Sequence, residues 1–277
     1  MSSIHPMVWQ WIRQMEDRDQ ASAHYAYQSL EREVLHATKP DGAEVVATLA
    51  TELAEALLAV KEDAPGSSEP PKPLLSSRTR NQLTRLLSYV PTEAVVPHLR
   101  KALDDLEVRE MARYALEANP SDSATSALIE ALVSMGPVFR VGVVNSLAKR
   151  KGRQVISALK DAAEDPQFEV RIAAIEGLAD FPEPSHDAVI ARSTEAESPE
   201  ERHRAHVARA RLAETLRTSG HTRAAERVCE AILASGAEDP QKRAAQLTLA
   251  RLAEHQSAGR AVPPPRPSIT PLPDACA

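Results

Sequence analysis

The sequence predicts an all-α protein, built as a solenoid of stacked antiparallel helix pairs. Three observations lead to this prediction. Side chains of the same kind recur at an interval of about 31 residues. Ala, Leu, Glu and Arg, which favour helices, are abundant. Gly occurs 9 times in 277 residues and aromatic residues make up 3%, a composition that is unlike a large sheet protein.

The repeat is visible in three independent rows of residues. An arginine row has steps of 29, 31, 31 and 31 residues, and two aliphatic rows share the same steps. Three rows with one period indicate a true structural repeat. The members of the rows are Arg80, Arg109, Arg140, Arg171 and Arg202; Leu87, Leu116, Leu147 and Leu178; and Leu99, Leu128, Leu159 and Ile190.

Each unit is predicted to hold two short amphipathic helices. In one unit these are "QVISALKDAAED" and "VRIAAIEGLAD", with apolar residues at helical spacing on one side of each. Asp165 and Pro166 lie between them, where the proline ends the first helix and Asp165 can cap the second. Helices this short are marginal alone. Stacking them side by side buries a continuous core.

The unit "ALKDAAEDPQFEVRIAAIEGLADF" resembles HEAT repeats, particularly the bacterial form found in phycobilin-lyase-type proteins. The resemblance covers roughly residues 76–200 and implies a right-handed α-solenoid. It also implies a hydrogen-bond ladder between an Asp in the inter-helix turn and an Arg six residues later, which Asp165 and Arg171 match. Leu103 and Ser134 occupy the Asp position in the preceding units, where Asp104 could substitute for the first, so the pattern leaves open whether the ladder is continuous.

The flanking segments give the predicted domain organisation. Both Trp residues lie in the first segment, residues 1–61. Residues 201–256 resemble a tetratricopeptide repeat, and the resemblance rests on Leu212, Leu216, Gly220 and Cys229. The expected parts are a helical cap (1–61), a Pro/Ser-rich linker (62–73), the HEAT-like array (74–200), a tetratricopeptide-like helical cap (201–256) and a disordered Pro-rich tail (257–277).

Composition and charge restrict the partners. The formal net charge of −6 argues against a nucleic-acid binder, which usually shows a basic footprint. We find no run of about 18 apolar residues that would span a membrane and no secretory signal, so the expected location is cytoplasmic. Two cysteines, far apart, do not predict a disulfide framework.

The sequence predicts neither catalysis nor a cofactor. His203 and His206 lie three residues apart and could share a metal, but Arg202 and Arg204 beside them oppose a cation, so no metal site is expected. Iron-dependent HEAT hydroxylases carry repeated His-Glu pairs, and this sequence has none. We therefore predict a protein that is not an enzyme.

Partner binding is predicted on the second helix of each pair, which lines the concave surface in HEAT solenoids. The expected surface combines an apolar stripe with Tyr and Arg, a composition that interfaces favour. If the register is off by one residue, the apolar members belong to the core instead. The predicted partner-binding residues are Glu110, Arg113, Tyr114, Val141, Val144, Asn145, Ile172, Ile175 and Glu176.

The resulting interpretation is a scaffold or adaptor for a protein or peptide partner. The alternatives are an accessory subunit or lyase-like chaperone that handles a bulky ligand such as a tetrapyrrole, and, more weakly, a nucleic-acid-binding solenoid. The basic stretch from Lys149 to Arg153 could bind an anion or be a solvated turn, and the tail "PPPRP" could be a recognition motif or a spacer. The partner's identity and the oligomeric state do not follow from the sequence.

Overall fold

Fourteen helices form in the described parts of the chain. The computed structural model describes residues 6–39, 42–61, 71–90 and 92–259. In chain order the helices are α1 (Pro6–Gln14), α2 (Gln20–Ala37), α3 (Ala43–Leu58), α4 (Ser77–Ser88), α5 (Val96–Ala102), α6 (Arg109–Ala118), α7 (Asp122–Ser134), α8 (Pro137–Ala148), α9 (Arg153–Ala162), α10 (Phe168–Leu178), α11 (His186–Arg192), α12 (Pro199–Thr218), α13 (Thr222–Ala234) and α14 (Asp239–Gly259).

Local sequence signals mark where several helices begin. The Ser76, Ser121 and Ser198 hydroxyls accept hydrogen bonds from backbone N–H groups in the first turns of α4, α7 and α12, which satisfies donors that a helix start leaves unpaired. Pro137 occupies the first turn of α8, where its fixed φ and missing N–H are tolerated. Within the described residues the only β-type pairing is one isolated antiparallel bridge, between Val60 and Pro73.

The helices stack as a solenoid of antiparallel pairs, which confirms the predicted fold class. The pairs are α5/α6, α7/α8, α9/α10 and α11/α12, and each second helix packs on the next from α4 through α12. The first helices contact one another less extensively. The second helices therefore form a closely packed layer, and their position on a concave surface remains a prediction.

The repeated aliphatic rows form the core. All members of both predicted rows are buried, with Leu116, Leu147 and Leu178 fully inaccessible to solvent. They join one continuous apolar cluster that runs from α1 to α14. The periodic pattern therefore predicted equivalent buried positions correctly.

The flanking helices extend the stack at both ends. The first three helices precede the regular pairs, and α3 packs on α4 and α5. At the other end, α12 packs on α10 and α11 and also on α13 and α14, so it joins the regular pairs to the last two helices. The boundary predicted between residues 200 and 201 falls inside α12. The division into domains, including the tetratricopeptide-like cap, remains a prediction.

Two predicted segments lie mostly outside the described residues. These are the linker, of which residues 62–70 are not described, and the tail from residue 260 onward. Among the described helices, none combines the length and the apolar character needed to cross a bilayer.

Candidate partner-binding face

The second helices present one row of side chains at equivalent positions. Tyr114 of α6, Asn145 of α8, Glu176 of α10 and Val207 of α12 follow one another at intervals of 31 residues. Tyr114 is 49% exposed, Asn145 and Val207 are exposed, and Glu176 is half-buried. We call the exposed side of α6, α8, α10 and α12 the second-helix face. Val207 was missed by the sequence analysis, although one more step of the same interval leads to it.

Six of the nine predicted partner-binding residues reach the surface. Glu110, Tyr114 and Asn145 are exposed, and Arg113, Val141 and Glu176 are half-buried. The structure therefore brings these six side chains to one side of the stack. Their role in binding remains a prediction.

The other three are core residues, and the expectation that they form an exposed apolar stripe is wrong. Val144 and Ile175 are fully buried and Ile172 is only 9% exposed. Neighbouring second helices pack so closely that residues on their flanks are enclosed. The closeness comes from small residues, since a Cβ at Gly177 of α10 would lie 2.9 Å from the Ala148 Cβ.

A network of charged and polar side chains joins α6 to α8. Arg113 donates to Glu110 Oε2 at 3.0 Å and to Ser146 Oγ at 2.5 Å. Glu117 accepts from Ser146 Oγ at 2.8 Å and from Lys149 Nζ at 2.6 Å. Burial by itself would raise the pKa of Glu117, but the hydrogen bonds from Lys149 and Ser146 outweigh it, and the pKa is lowered. The network therefore fixes these charges in place.

The same arrangement joins α10 to α12. Arg204 Nε lies 2.5 Å from Glu176 Oε1, and Arg211 Nη2 donates to the Glu176 carbonyl at 2.9 Å. Arg211 Nε also lies 3.4 Å from Asp180 Oδ1. Positive and negative groups thus pair across adjacent helices, and the second-helix face carries mixed, internally compensated charge.

An arginine ladder runs along the edge where the first helices turn into the second. Arg140 Nη2 lies 3.1 Å from Asp165 Oδ1 of the next unit, and Arg171 Nη1 donates to the Asp165 carbonyl at 2.8 Å. Asp165 also accepts from the Gln167 N–H, so it holds the turn but is not the N-cap of α10, which is Gln167. Arg171 continues the ladder by pairing with Glu201 at 2.8 and 2.5 Å.

The ladder persists in the units that lack the expected Asp. Arg80 pairs with Asp105 and, at 2.6 Å, with Glu107. The Arg109 guanidinium lies over the Phe139 ring, 4.9 Å from its centroid, which is a cation–π contact. Each unit is therefore tied to the next, although by different chemistry.

The basic stretch contains one arginine with a structural role. Arg150, at the end of α8, reaches back to the preceding unit and satisfies carbonyls at the C-terminal end of α6 that the helix leaves unpaired. The Arg150 guanidinium is therefore engaged in hydrogen bonds within the protein, whereas Lys151 and Arg153 are exposed. The acceptors of Arg150 are the carbonyls of Leu116, Glu117, Asn119 and Ser121 and the Thr125 hydroxyl.

Comparison with known proteins agrees with the repeat architecture. Residues 125–208 match the family model described as HEAT repeats. A comparison with curated protein sequences gave no match.

Solved structures similar to the chain include the complex of CpcE and CpcF of phycocyanin lyase from Nostoc sp. PCC7120, at 18% identity and TM-score 0.40, covering 89% of this chain and 95% of that one. Human deoxyhypusine hydroxylase in complex with glycerol has 17% identity and TM-score 0.35, covering 90% and 96%. A designed armadillo repeat protein in complex with the peptide (KR)4 has 17% identity and TM-score 0.33, covering 90% and 100%. The chain is a helical-repeat protein whose central residues 125–208 match the model of HEAT repeats.

Proposed function

We propose that this protein is a non-enzymatic scaffold that binds a protein or peptide partner along the second-helix face. The observation that carries the proposal is the register of exposed side chains on this face. Tyr114, Asn145 and Val207 project from backbones that are fixed by a continuous core. A surface that is ordered before binding loses little conformational entropy when a partner arrives.

Tyr114 is the side chain on this face best suited to be an anchor. It supplies a large, rigid, amphipathic ring, and tyrosine is among the residues that dominate interface energies. Arg113, next to it in sequence, is held by Glu110 and Ser146. The Arg113 side chain is therefore already ordered before a partner binds.

The charge pattern favours a protein or peptide over a nucleic acid. Lys149, Arg204 and Arg211 all pair with carboxylates within the face. A phosphate backbone would have to compete with these carboxylates, whereas nucleic-acid affinity depends mainly on cations that are free to neutralise phosphates. A partner with polar groups and one or two apolar anchors fits the face better.

The proposal is tested by comparing the wild type with Tyr114→Ala. We expect truncation of the tyrosine to weaken the affinity for a partner at least about thirtyfold, because anchor residues contribute about 2 kcal/mol or more. The matched control is Val133→Ala, at the end of the first helix α7, where the side chain is 82% exposed. Ile172→Asp is unsuitable, since burying a carboxylate would unfold the array for unrelated reasons.

The readout has two stages. Proteins retained from a lysate by the wild type and by Val133→Ala, but lost with Tyr114→Ala, are purified and their affinities are measured by calorimetry. Hydrogen exchange of the complex then maps the contact. Slower exchange along α6, α8 and α10 would support the proposal. Protection confined to the first helices, or equal affinity of Tyr114→Ala and wild type, would overturn it.

A further inference from the structure

An apolar hollow lies between the starts of α8 and α10. It has a volume of about 330 Å³, and four of its six lining side chains are apolar. Val138 is 86% exposed, more than any other large apolar side chain in the described chain, whereas Val170 is fully buried. An exposed apolar side chain is ordinary when it stands alone, but beside an apolar hollow it indicates an interaction site. We call this hollow the α8–α10 groove. Its lining residues are Pro137, Val138, Val141, Gln167, Glu169 and Val170.

The groove belongs to a row of exposed residues that repeats with the solenoid. The row lies at or just before the starts of α6, α8, α10 and α12, and we call it the start row. A carboxylate in the first turn of a helix stabilises that helix, so the acidic members have a structural reason to be there. The apolar member has none. The members are Glu107, Val138, Glu169 and Glu200, at intervals of 31 residues, and all are exposed.

Two carboxylates of the start row are not neutralised by an ion pair. Within the described residues, no Lys, Arg or His nitrogen lies within ion-pair distance of Glu169 or Glu200. Arg171 and Arg204 attract them from further away, but each of these arginines is bound to another carboxylate. Glu107, by contrast, has an arginine partner at 2.6 Å. The negative charge beside the groove is therefore available to a partner.

The ladder arginines at this edge do not change the sign of its charge. Arg140 pairs with Asp165, and Arg202 donates to two backbone carbonyls. The surface from Val138 to Glu200 thus combines an apolar groove with uncompensated carboxylates. Nucleic acids and anionic bilayers carry the same sign of charge and are repelled. A segment with basic and aliphatic side chains complements this surface.

The packing of the second helices sets the spacing of the start row. Packed helices lie about 8–10 Å apart. A polyproline II segment has three residues per turn and rises about 3.1 Å per residue, so every third side chain returns to the same side about 9 Å further along. In a β-strand, by contrast, residues three apart point to opposite faces. A polyproline II segment therefore matches the row, one side chain to each helix.

We propose that the start row and the α8–α10 groove bind a polyproline II segment of a partner protein. The segment carries an aliphatic residue and two arginines or lysines at every third position. The aliphatic side chain packs beside Val138 in the groove, and the two cations pair with Glu169 and Glu200. This contact is separate from the second-helix face around Tyr114, so it adds a second interaction surface to the protein.

The chain's own Pro-rich residues 260–277 do not fit this role. They follow α14, which starts near the beginning of α12 and passes the end of α12, where Arg251 pairs with Glu214. The seven residues from Gly259 to Arg266 span at most about 25 Å. The length of α14 is about 31 Å, so this arginine cannot return to the edge that carries Glu200. A second copy is disfavoured by the net charge of −6.

Binding is measured by NMR on the full chain, with the methyl signals of Val138 and Val170 as reporters. The salt concentration is about 0.15 M, which screens long-range attraction. The probe is acetyl-Pro-Leu-Pro-Pro-Arg-Pro-Pro-Arg-Pro-amide, together with its reversed sequence, since a segment can run in either direction. We expect saturable shifts with one of the two. A peptide of the same composition with Leu-Arg-Arg contiguous, and one with Ser in place of Leu, should each bind at least about threefold more weakly.

Paired variants test both kinds of contact. Glu169→Lys should weaken the peptide at least about fivefold, which corresponds to about 1 kcal/mol, because attraction becomes repulsion. Its control is Glu93→Lys, at an exposed position of the turn between α4 and α5, which lies at the opposite edge. Val138→Ser should weaken the peptide, with Val170 as the reporter, whereas Val133→Ser at a similarly exposed valine of α7 should not.

Three results would overturn the proposal. They are the absence of saturable shifts with either chain direction, equal affinity for the contiguous peptide, and equal weakening by Glu169→Lys and Glu93→Lys. Self-association in sedimentation that Val138→Ser abolishes would assign the groove to a second copy. Shifts of the groove signals caused by Ile269→Ser without peptide would assign it to the chain's own tail. Both contradict the proposal, and none of these results bears on Tyr114 and the proposed partner-binding face.

Discussion

Replacing Gly177 by alanine tests the close packing of second helices on which the shape of the face depends. Gly177 lies in α10 at its approach to α8. A Cβ at this position would lie 2.9 Å from the Ala148 Cβ and 3.5 Å from both Leu159 methyl carbons. Carbon atoms pack best at about 3.5–4.0 Å, so only the Ala148 contact is too short.

Two effects of opposite sign determine the result. Alanine is favoured over glycine inside a helix by about 1 kcal/mol. Overpacking a well-filled core typically costs about 1–3 kcal/mol, and here the clash is with a short side chain fixed to its backbone, which can yield only if α8 and α10 move apart. We expect the clash to prevail, so that Gly177→Ala lowers the free energy of unfolding by up to about 2 kcal/mol.

Urea unfolding followed by circular dichroism measures this change. The control is Gly142→Ala, where the new Cβ would meet Arg113 Nε at 3.1 Å, so only the end of one side chain must move by a few tenths of an ångström, at a cost that offsets the gain in helix propensity. We expect that variant to be nearly neutral. Adding Ala148→Gly to Gly177→Ala should recover stability beyond the sum of the single changes. If Gly177→Ala is instead as stable as the wild type or more so, helix propensity prevails and the contact is not tight.

Three further predictions concern the ladder and the core. Arg150→Ala should lower the free energy of unfolding by about 2–3 kcal/mol, because it leaves several carbonyls unpaired. Lys151→Ala, an exposed neighbour, should change it by less than about 0.5 kcal/mol, and equal effects would refute the structural role of Arg150. Leu147→Ala should cost about 2–5 kcal/mol, measured by urea unfolding, as expected for a fully buried leucine. A much smaller loss would show that this row is not core. Glu201 has a pKa lowered below 4.5 by the hydrogen bonds from Arg171, which outweigh burial. Its ionised form therefore contributes stability above that pH, and the contribution is lost as the pH falls through the lower folded value. Glu201→Gln should flatten the decline in stability between roughly pH 5 and pH 3, and an unchanged decline would contradict this.

The repeat was predictable from the sequence because burial imposes a strict condition at fixed positions. Leu116, Leu147 and Leu178 occupy equivalent buried positions, and a single period describes all three. The ladder was only partly predictable. In one unit the expected Asp position is occupied by Leu103, and the carboxylate that pairs with Arg80 belongs to Asp105, two residues further along the turn. Arg109 contacts the Phe139 ring, where the pattern predicted a carboxylate. A pattern of residue types cannot show that an aromatic ring substitutes for a charge.

The candidate face was predicted less well because its edge depends on how closely neighbouring helices pack. Val144 and Ile175 each follow a residue that faces the core. In a helix considered alone, residues next to the core-facing side are half exposed. Arg113 occupies the equivalent position in α6 and remains half-buried, because its long side chain extends to Glu110 and Ser146. The distance between helices, set by Gly177 and Ala148, determines the outcome.

On the proposed function, the paired charges of the second-helix face bear on which partners it would select. Arg204 of α12 pairs with Glu176 of α10, and Lys149 at the end of α8 pairs with Glu117 of α6. Because these charges compensate one another, they add little long-range attraction for a charged partner, and they hold the surface in one arrangement. On the proposed function, discrimination among partners falls to the uncharged members of the row, Tyr114 above all. The proposal implies that a partner is selected by whether its own anchors match the spacing of that row, and not by its net charge.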